Sequence, residues 1–314
     1  MENSKFPEEM TMKTVKRLFA LILTLFVFLS LAALPASARA ARSGAKYRTY
    51  TCIGDSIAAG VTLPGYMSKA HKEDEVTWPV IPGSFPAYVR DGVGATKVYM
   101  IAKPGYRTVE MRRVLDPSFK GDAVEIRHLP LNAKGTVDEA ALKELRSGYK
   151  KAIQSSDLIT IELGPNDIGQ PILGIIRTIR TGEEDAAYIQ GCLQAFSVCG
   201  ITFRQYFGWL LNYIHKLNPN AKVVVTGIYN PVYNWALDTP VRMEYGRLLD
   251  GVIDLFNNYL KYESPYRSYY TYVDMNGVET LMFKETLFTT KFDAHPTPKG
   301  HREMARRILA ALRD

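Results

Sequence analysis

Five residues are of the types that serine-based acyl transfer needs. Ser56 ends the stretch Gly54-Asp55-Ser56, and Gly105 follows Lys103-Pro104. Asn166 lies in Gly164-Pro165-Asn166-Asp167, while Asp293 and His295 belong to Asp293-Ala294-His295-Pro296. A serine hydroxyl is a poor nucleophile until a neighbouring imidazole takes its proton, and a third group must orient that imidazole. His295 fits the base, and Asp293, two residues earlier in a tight loop, can reach its other ring nitrogen. Attack on an acyl carbonyl produces an oxyanion. The Ser56 N–H, the Gly105 N–H and the Asn166 side-chain amide would stabilise it as a three-donor hole. Ser56 also falls at the start of an expected helix, where unpaired N–H groups favour negative charge. Taken singly, each piece is ordinary: Gly-Asp-Ser occurs in common loops, and Asp-x-His can merely hydrogen-bond locally.

These residues are far apart along the chain, so the elements between them decide whether they meet. Strands are expected at Tyr47 to Ile53, Val98 to Ala102, Leu158 to Leu163, Lys222 to Gly227 and Tyr269 to Asp274, from their β-branched, tyrosine-rich or continuously apolar character. Helical spacing appears in Pro86 to Arg90, Thr108 to Leu115 and Asp138 to Ile153. It recurs from Phe203 to Leu217, from Tyr245 to Leu260, and after a Thr297-Pro298 cap. Strands alternating with helices imply βαβ units and a mainly parallel five-stranded sheet in an α/β fold. Ligands bind such sheets beyond the carboxyl ends of the strands, which is where Ser56, Gly105, Asn166 and His295 fall. Two stretches, Val61 to Gly83 and Ile168 to Gly200, read as long insertions.

Gly54-Asp55-Ser56, Gly105, Gly164-x-Asn166-Asp167 and Asp293-x-x-Pro296 with His295 inside it together resemble the four blocks of the SGNH (GDSL-type) esterase and acylhydrolase family, in that family's order. The resemblance runs from the first strand to the last helix. It implies a flavodoxin-like three-layer α/β/α sandwich and a Ser56/His295/Asp293 triad, with Ser56, Gly105 and Asn166 as oxyanion donors. It implies no cofactor and no metal. Two positions depart from the pattern: Ile57 replaces the leucine of the family nickname, and Lys103 stands where many members have asparagine, which opens the question of how the Gly105 loop is held.

Other polar residues have plainer readings. Asp55 and Asp167 are expected to brace their turns by accepting backbone N–H bonds. His301, inside the last helix, reads as a surface or packing residue, and His71, His128 and His215 have no catalytic companions nearby in sequence. Trp78 and Arg107 are the nearest candidates for lining the substrate site, against a plain packing role for the first and a solvent-exposed helix start for the second.

Residues 1–38 read as an export signal: Lys13, Lys16 and Arg17 precede an apolar run from Leu18 to Leu34, with small residues at Ala36-Ser37-Ala38. An uncleaved membrane anchor is the alternative, because about 17 apolar residues sits at the lower limit for spanning a bilayer. Met10 or Met12 is an alternative start. Cleavage leaves one hydrolase domain over 39–314 in a secreted or extracytoplasmic protein. The formal charge of +7 is dispersed. It is compatible with weak contact with anionic cell surfaces and argues against nucleic acid as a partner. Of three cysteines, Cys192 and Cys199 are seven apart and could close a small disulfide loop, whereas Cys52 reads as a buried thiol.

The expected activity is hydrolysis of a small acyl ester, with a tilt towards O-acetylated carbohydrate. Acyl transfer to a sugar or lysophospholipid hydrolysis at the same site are alternatives within the class. A non-catalytic surface-binding module on a hydrolase scaffold is the alternative outside it. A dinuclear metallophosphatase would place Asp-x-His on the first strand and follow it with further histidines, an order this chain does not have.

Overall fold

The computed structural model describes residues 47–69, 71–121, 126–182, 186–233, 239–281 and 293–313. The expected export signal lies outside the described residues. Five strands form one sheet: β1 (Thr49–Gly54), β2 (Lys97–Ala102), β3 (Leu158–Glu162), β4 (Lys222–Thr226) and β5 (Thr271–Val273). Their order is β2-β1-β3-β4-β5, and every neighbouring pair is parallel. This is the flavodoxin-like doubly wound order, in which the direction of strand addition reverses beside β1.

Successive side chains of a strand point to opposite faces, and the sheet is apolar on both. Ile53, Ile101, Ile159, Ile161, Val223 and Val225 enter one core. Helices α3 (Thr108–Leu115), α4 (Glu139–Ser155), α5 (Gly169–Thr181), α6 (Ala186–Leu217) and α7 (Pro240–Asn258) supply its other side. Tyr50, Cys52, Met100, Leu158, Val224 and Val273 enter the second core, against α2 (Phe85–Val93) and α8 (Pro298–Ala311). The result is three layers, as parallel strands covered on both faces require.

The register matters most for the site. Gly54 pairs with Ala102 on one side and with Glu162 on the other. β1, β2 and β3 therefore end level, and the segments that follow them leave the sheet at one edge.

The stretch from Ile168 to Gly200, read from sequence as a long insertion with no helix assigned, holds α5 and the first half of the 32-residue α6. Gly174 lets these helices approach, since a Cβ there would meet the Cys192 sulfur at 2.4 Å and the Tyr188 ring at 3.0 Å. Cys192 and Cys199 consequently stand two turns apart on one helix and form no disulfide. Seven helical residues span roughly 10 Å, beyond the ~7 Å limit for bridging two cysteines. Cys52 is buried in β1, as expected. The described residues of the Val61 to Gly83 stretch form irregular chain, within which Trp78 is buried.

Candidate active site

Ser56 is the first residue of α1 (Ser56–Ala59), a single turn capped by Asp55, whose Oδ1 accepts the Ile57 N–H at 2.8 Å. So short a helix contributes orphan N–H groups more than a developed dipole. The turn is tight because position 54 has no side chain: a Cβ there would lie 2.4 Å from the Ala58 Cβ.

His295 and Ser56 are 239 residues apart in the chain, yet His295 Nε2 lies 2.8 Å from Ser56 Oγ. On the far side of the ring, Nδ1 is 2.6 Å from Asp293 Oδ1, which also accepts the His295 backbone N–H at 3.0 Å. This geometry suits an imidazole that donates from Nδ1 to the carboxylate and accepts the serine proton at Nε2. The loop is pinned from two directions. Leu281 N–H donates to the His295 carbonyl at 2.8 Å, and the Tyr229 hydroxyl donates to the Ala294 carbonyl at 2.8 Å. Tyr229 was not foreseen from sequence; its signal is its place just past the end of β4.

Gly105 has φ +78, the left-handed region that favours glycine. The His128 ring covers it, so a Cβ would meet His128 Nε2 at 2.3 Å. His128 itself has φ 53, the one non-glycine with positive φ among the described residues. Lys103 resolves how this loop is held. It is fully buried, donates to the Glu73 carbonyl, pairs with the Glu73 carboxylate at 3.7 Å and lies 5.7 Å from the ring centroids of both Trp78 and Tyr106. Burial pushes its ammonium down to about 8. Trp78 packs in this cluster, donating to the Lys72 carbonyl. Arg107 precedes α3 and pairs with Glu110.

Asn166 is brought to the same place, but both of its amide hydrogens are engaged. Nδ2 donates to Asp55 Oδ2 at 2.9 Å and to the Tyr106 carbonyl at 3.2 Å. Asp167 accepts the Thr108 hydroxyl and backbone N–H, tying the segment after β3 to the start of α3. Burial pushes its carboxyl up to about 7. The bracing expected of Asp55 and Asp167 is what these bonds do.

His301 is a packing residue. It is buried, accepts the Phe85 N–H at Nδ1 and is pushed down to about 3 by burial. His71 stacks on Tyr66 and His215 on Tyr269. Glu162, the last residue of β3, lies buried beneath the Gly54-Asp55 turn and was missed in the sequence. Its signal was a lone acid inside the apolar run Leu158-Ile-Thr-Ile-Glu-Leu163. An apolar recess between α6 and α7, lined by Leu193, Phe196, Phe203 and Phe256, includes none of the residues around Ser56. Among the described residues, no group of three or more His, Cys, Asp or Glu is gathered as a metal site.

The family model for the GDSL-like Lipase/Acylhydrolase family matches residues 52–303, from within β1 into α8. The chain belongs to this GDSL-like family. Its members' chemistry makes the protein a carboxylic-ester hydrolase with a serine nucleophile, and acyl esters its substrate class. The fold of this GDSL-like hydrolase is similar to that of an extracellular lipase from Streptomyces rimosus, with TM-score 0.53, 16% identity and coverage of 84% of this chain and 97% of that one. It is likewise similar to a phospholipase A1 from Streptomyces albidoflavus NA297, with TM-score 0.53, 18% identity and coverage of 85% and 98%. No curated protein is matched by the sequence.

Proposed function

We propose that the protein is an exported serine esterase that cleaves a small acyl ester through an acyl-enzyme on Ser56. The observation that carries this reading is the hydrogen-bonded series from Asp293 through His295 to Ser56, at 2.6 and 2.8 Å. His295 takes the proton from Ser56 Oγ as that oxygen attacks the acyl carbon. Asp293 holds the ring and stabilises the imidazolium. The proton then passes to the leaving alkoxide, the alcohol departs, and water deacylates Ser56 by the same route in reverse.

The Ser56 and Gly105 N–H groups and one Asn166 N–H are the oxyanion donors in this reading. Asn166 would turn its longer bond, to the Tyr106 carbonyl, towards the developing charge while keeping the shorter one to Asp55. Such donors act mainly in the transition state. Export rests on the Lys13-Lys16-Arg17 and Leu18–Leu34 pattern. The dispersed positive charge tilts the substrate towards O-acetylated carbohydrate.

Purified protein assayed against acetylated glycans, a series of p-nitrophenyl esters and lysophospholipids tests the substrate. Fastest turnover on acetyl esters, with glycans preferred, is expected; a preference for long acyl chains or lysophospholipids overturns the small-acyl reading. Ser56→Ala should abolish p-nitrophenyl acetate turnover with an unchanged melting temperature. Turnover at the wild-type rate by that variant refutes the mechanism, and a folded wild-type protein without esterase activity supports the binding-module alternative.

A further inference from the structure

Beneath the Ser56 turn lie two carboxyl groups with no cation between them. Asp55 is fully buried and Glu162 is 4% exposed. Glu162 pairs in register with Gly54 across β1 and β3, and its Oε2 accepts the Asp55 N–H at 3.5 Å. Among the described residues, neither carboxyl forms an ion pair with lysine or arginine. The charged and titratable groups that act on the pair are Cys52 on β1, Tyr229 after β4 and, from the C-terminal loop, His295. Burial pushes the Cys52 thiol up to about 12 and Tyr229 well above its ordinary value, so both remain neutral.

Two carboxylates in one dry site cannot both ionise, so one proton is retained. Its location follows from the hydrogen bonds. Burial pushes the Asp55 carboxyl up to about 6, but it accepts the Ile57 N–H at Oδ1 and the Asn166 amide at Oδ2, which favour its charged form. The Glu162 carboxyl has burial and the Asp55 charge against it, and both push it well above the ordinary carboxylate range. Asp55 is also the junction of the site, because its two oxygens fix the nucleophile turn and the proposed oxyanion donor together.

We propose that Glu162 is a positioning residue for ester cleavage: as a neutral acid it donates a hydrogen bond to the Asp55 carboxylate and so holds Ser56 and Asn166 in register. This rests on the serine-esterase reading above. Glu162 touches no reacting atom, and its contribution appears in the transition state, when Asn166 must keep its bond to Asp55 while turning its other N–H to the oxyanion.

The test compares full-length wild type, Glu162→Ala, Glu162→Gln and Ser56→Ala. At pH 7, Glu162→Ala should lose at least about tenfold in kcat with KM within about twofold, while Glu162→Gln, whose amide can donate the same bond, should stay within about threefold of wild type. The infrared difference spectrum of wild type minus Glu162→Gln should contain a neutral carboxylic-acid carbonyl band, in which any contribution of Asp167, pushed up to about 7 by its own burial, cancels because both proteins carry it. That band is read without activity and whether or not the alanine variant folds. A wild-type kcat in Glu162→Ala, a folded Glu162→Gln as impaired as the alanine variant, or absence of the band would each overturn the proposal. Organophosphonate labelling of wild type but not Ser56→Ala tests the underlying esterase reading separately.

Discussion

At the scale of single residues, the site holds groups that would react and groups that hold them in place. In the proposed mechanism the Asn166 N–H acts on charge that exists only in the transition state, so Asn166→Ala should lower kcat by about 10²–10³ with little change in KM. Steady-state kinetics on p-nitrophenyl acetate check this, and an unchanged kcat removes Asn166 from the oxyanion hole. Gly105→Ala forces a Cβ into the left-handed region and into the His128 ring. It should cost about 1–2 kcal/mol in stability from the backbone alone and displace the Gly105 N–H; a variant with wild-type melting temperature and kcat contradicts this. Tyr229→Phe removes the donor to the Ala294 carbonyl, between Asp293 and His295. It should lose about 1 kcal/mol and show a lower kcat, read by denaturation and kinetics; equal values would mean the loop is held without it.

At the scale of elements, α8 carries a pH-sensitive feature separate from the chemistry. His301 is neutral in the fold, held down to about 3 from an ordinary 6.5 by burial. The unfolded chain binds a proton there below about pH 6.5 and the folded chain does not. Stability contributed by His301 is thus present above pH 6.5 and lost as pH falls towards 3. His301→Asn should flatten the acid side of the melting-temperature profile; a parallel profile contradicts this. The strands and their order of use were legible because each is a short apolar run bounded by turn residues. The first three site blocks were legible because each follows such a run, and the fourth because it sits just ahead of the Thr297-Pro298 helix start. α5 and the first half of α6 were not, for a physical reason: from Gly169 to Gly200 the sequence has few charges to mark a solvent face and several glycines that lower helix propensity. Their helicity comes from packing, with Ile175, Ile176, Ile179, Ile189, Leu193 and Phe196 all in the main core. The same gap left open whether Cys192 and Cys199 pair; on one helix they do not. Glu162 was hidden because a strand pattern reports burial, and its role depends on which residue lies across the ladder.

At the scale of the molecule, the level ends of β1, β2 and β3 bring motifs remote along the chain to one edge of the sheet. The final motif arrives by the loop ahead of α8, tied back to residues 279 and 281 by Thr297 N–H to Glu279 carbonyl and Leu281 N–H to His295 carbonyl bonds. Nothing in this assembly depends on a cross-link. Alkylation of the denatured protein without reductant should modify all three cysteines, and a protected Cys192–Cys199 pair would require α6 to be broken. The central claim is that Ser56 is the nucleophile at this junction. Its most direct test is reaction of the native protein with an organophosphonate, followed by peptide mass spectrometry. The account predicts one adduct, on Ser56, that fails to form in His295→Ala. A stable adduct on another residue, or none on a protein that still turns over esters, would contradict it.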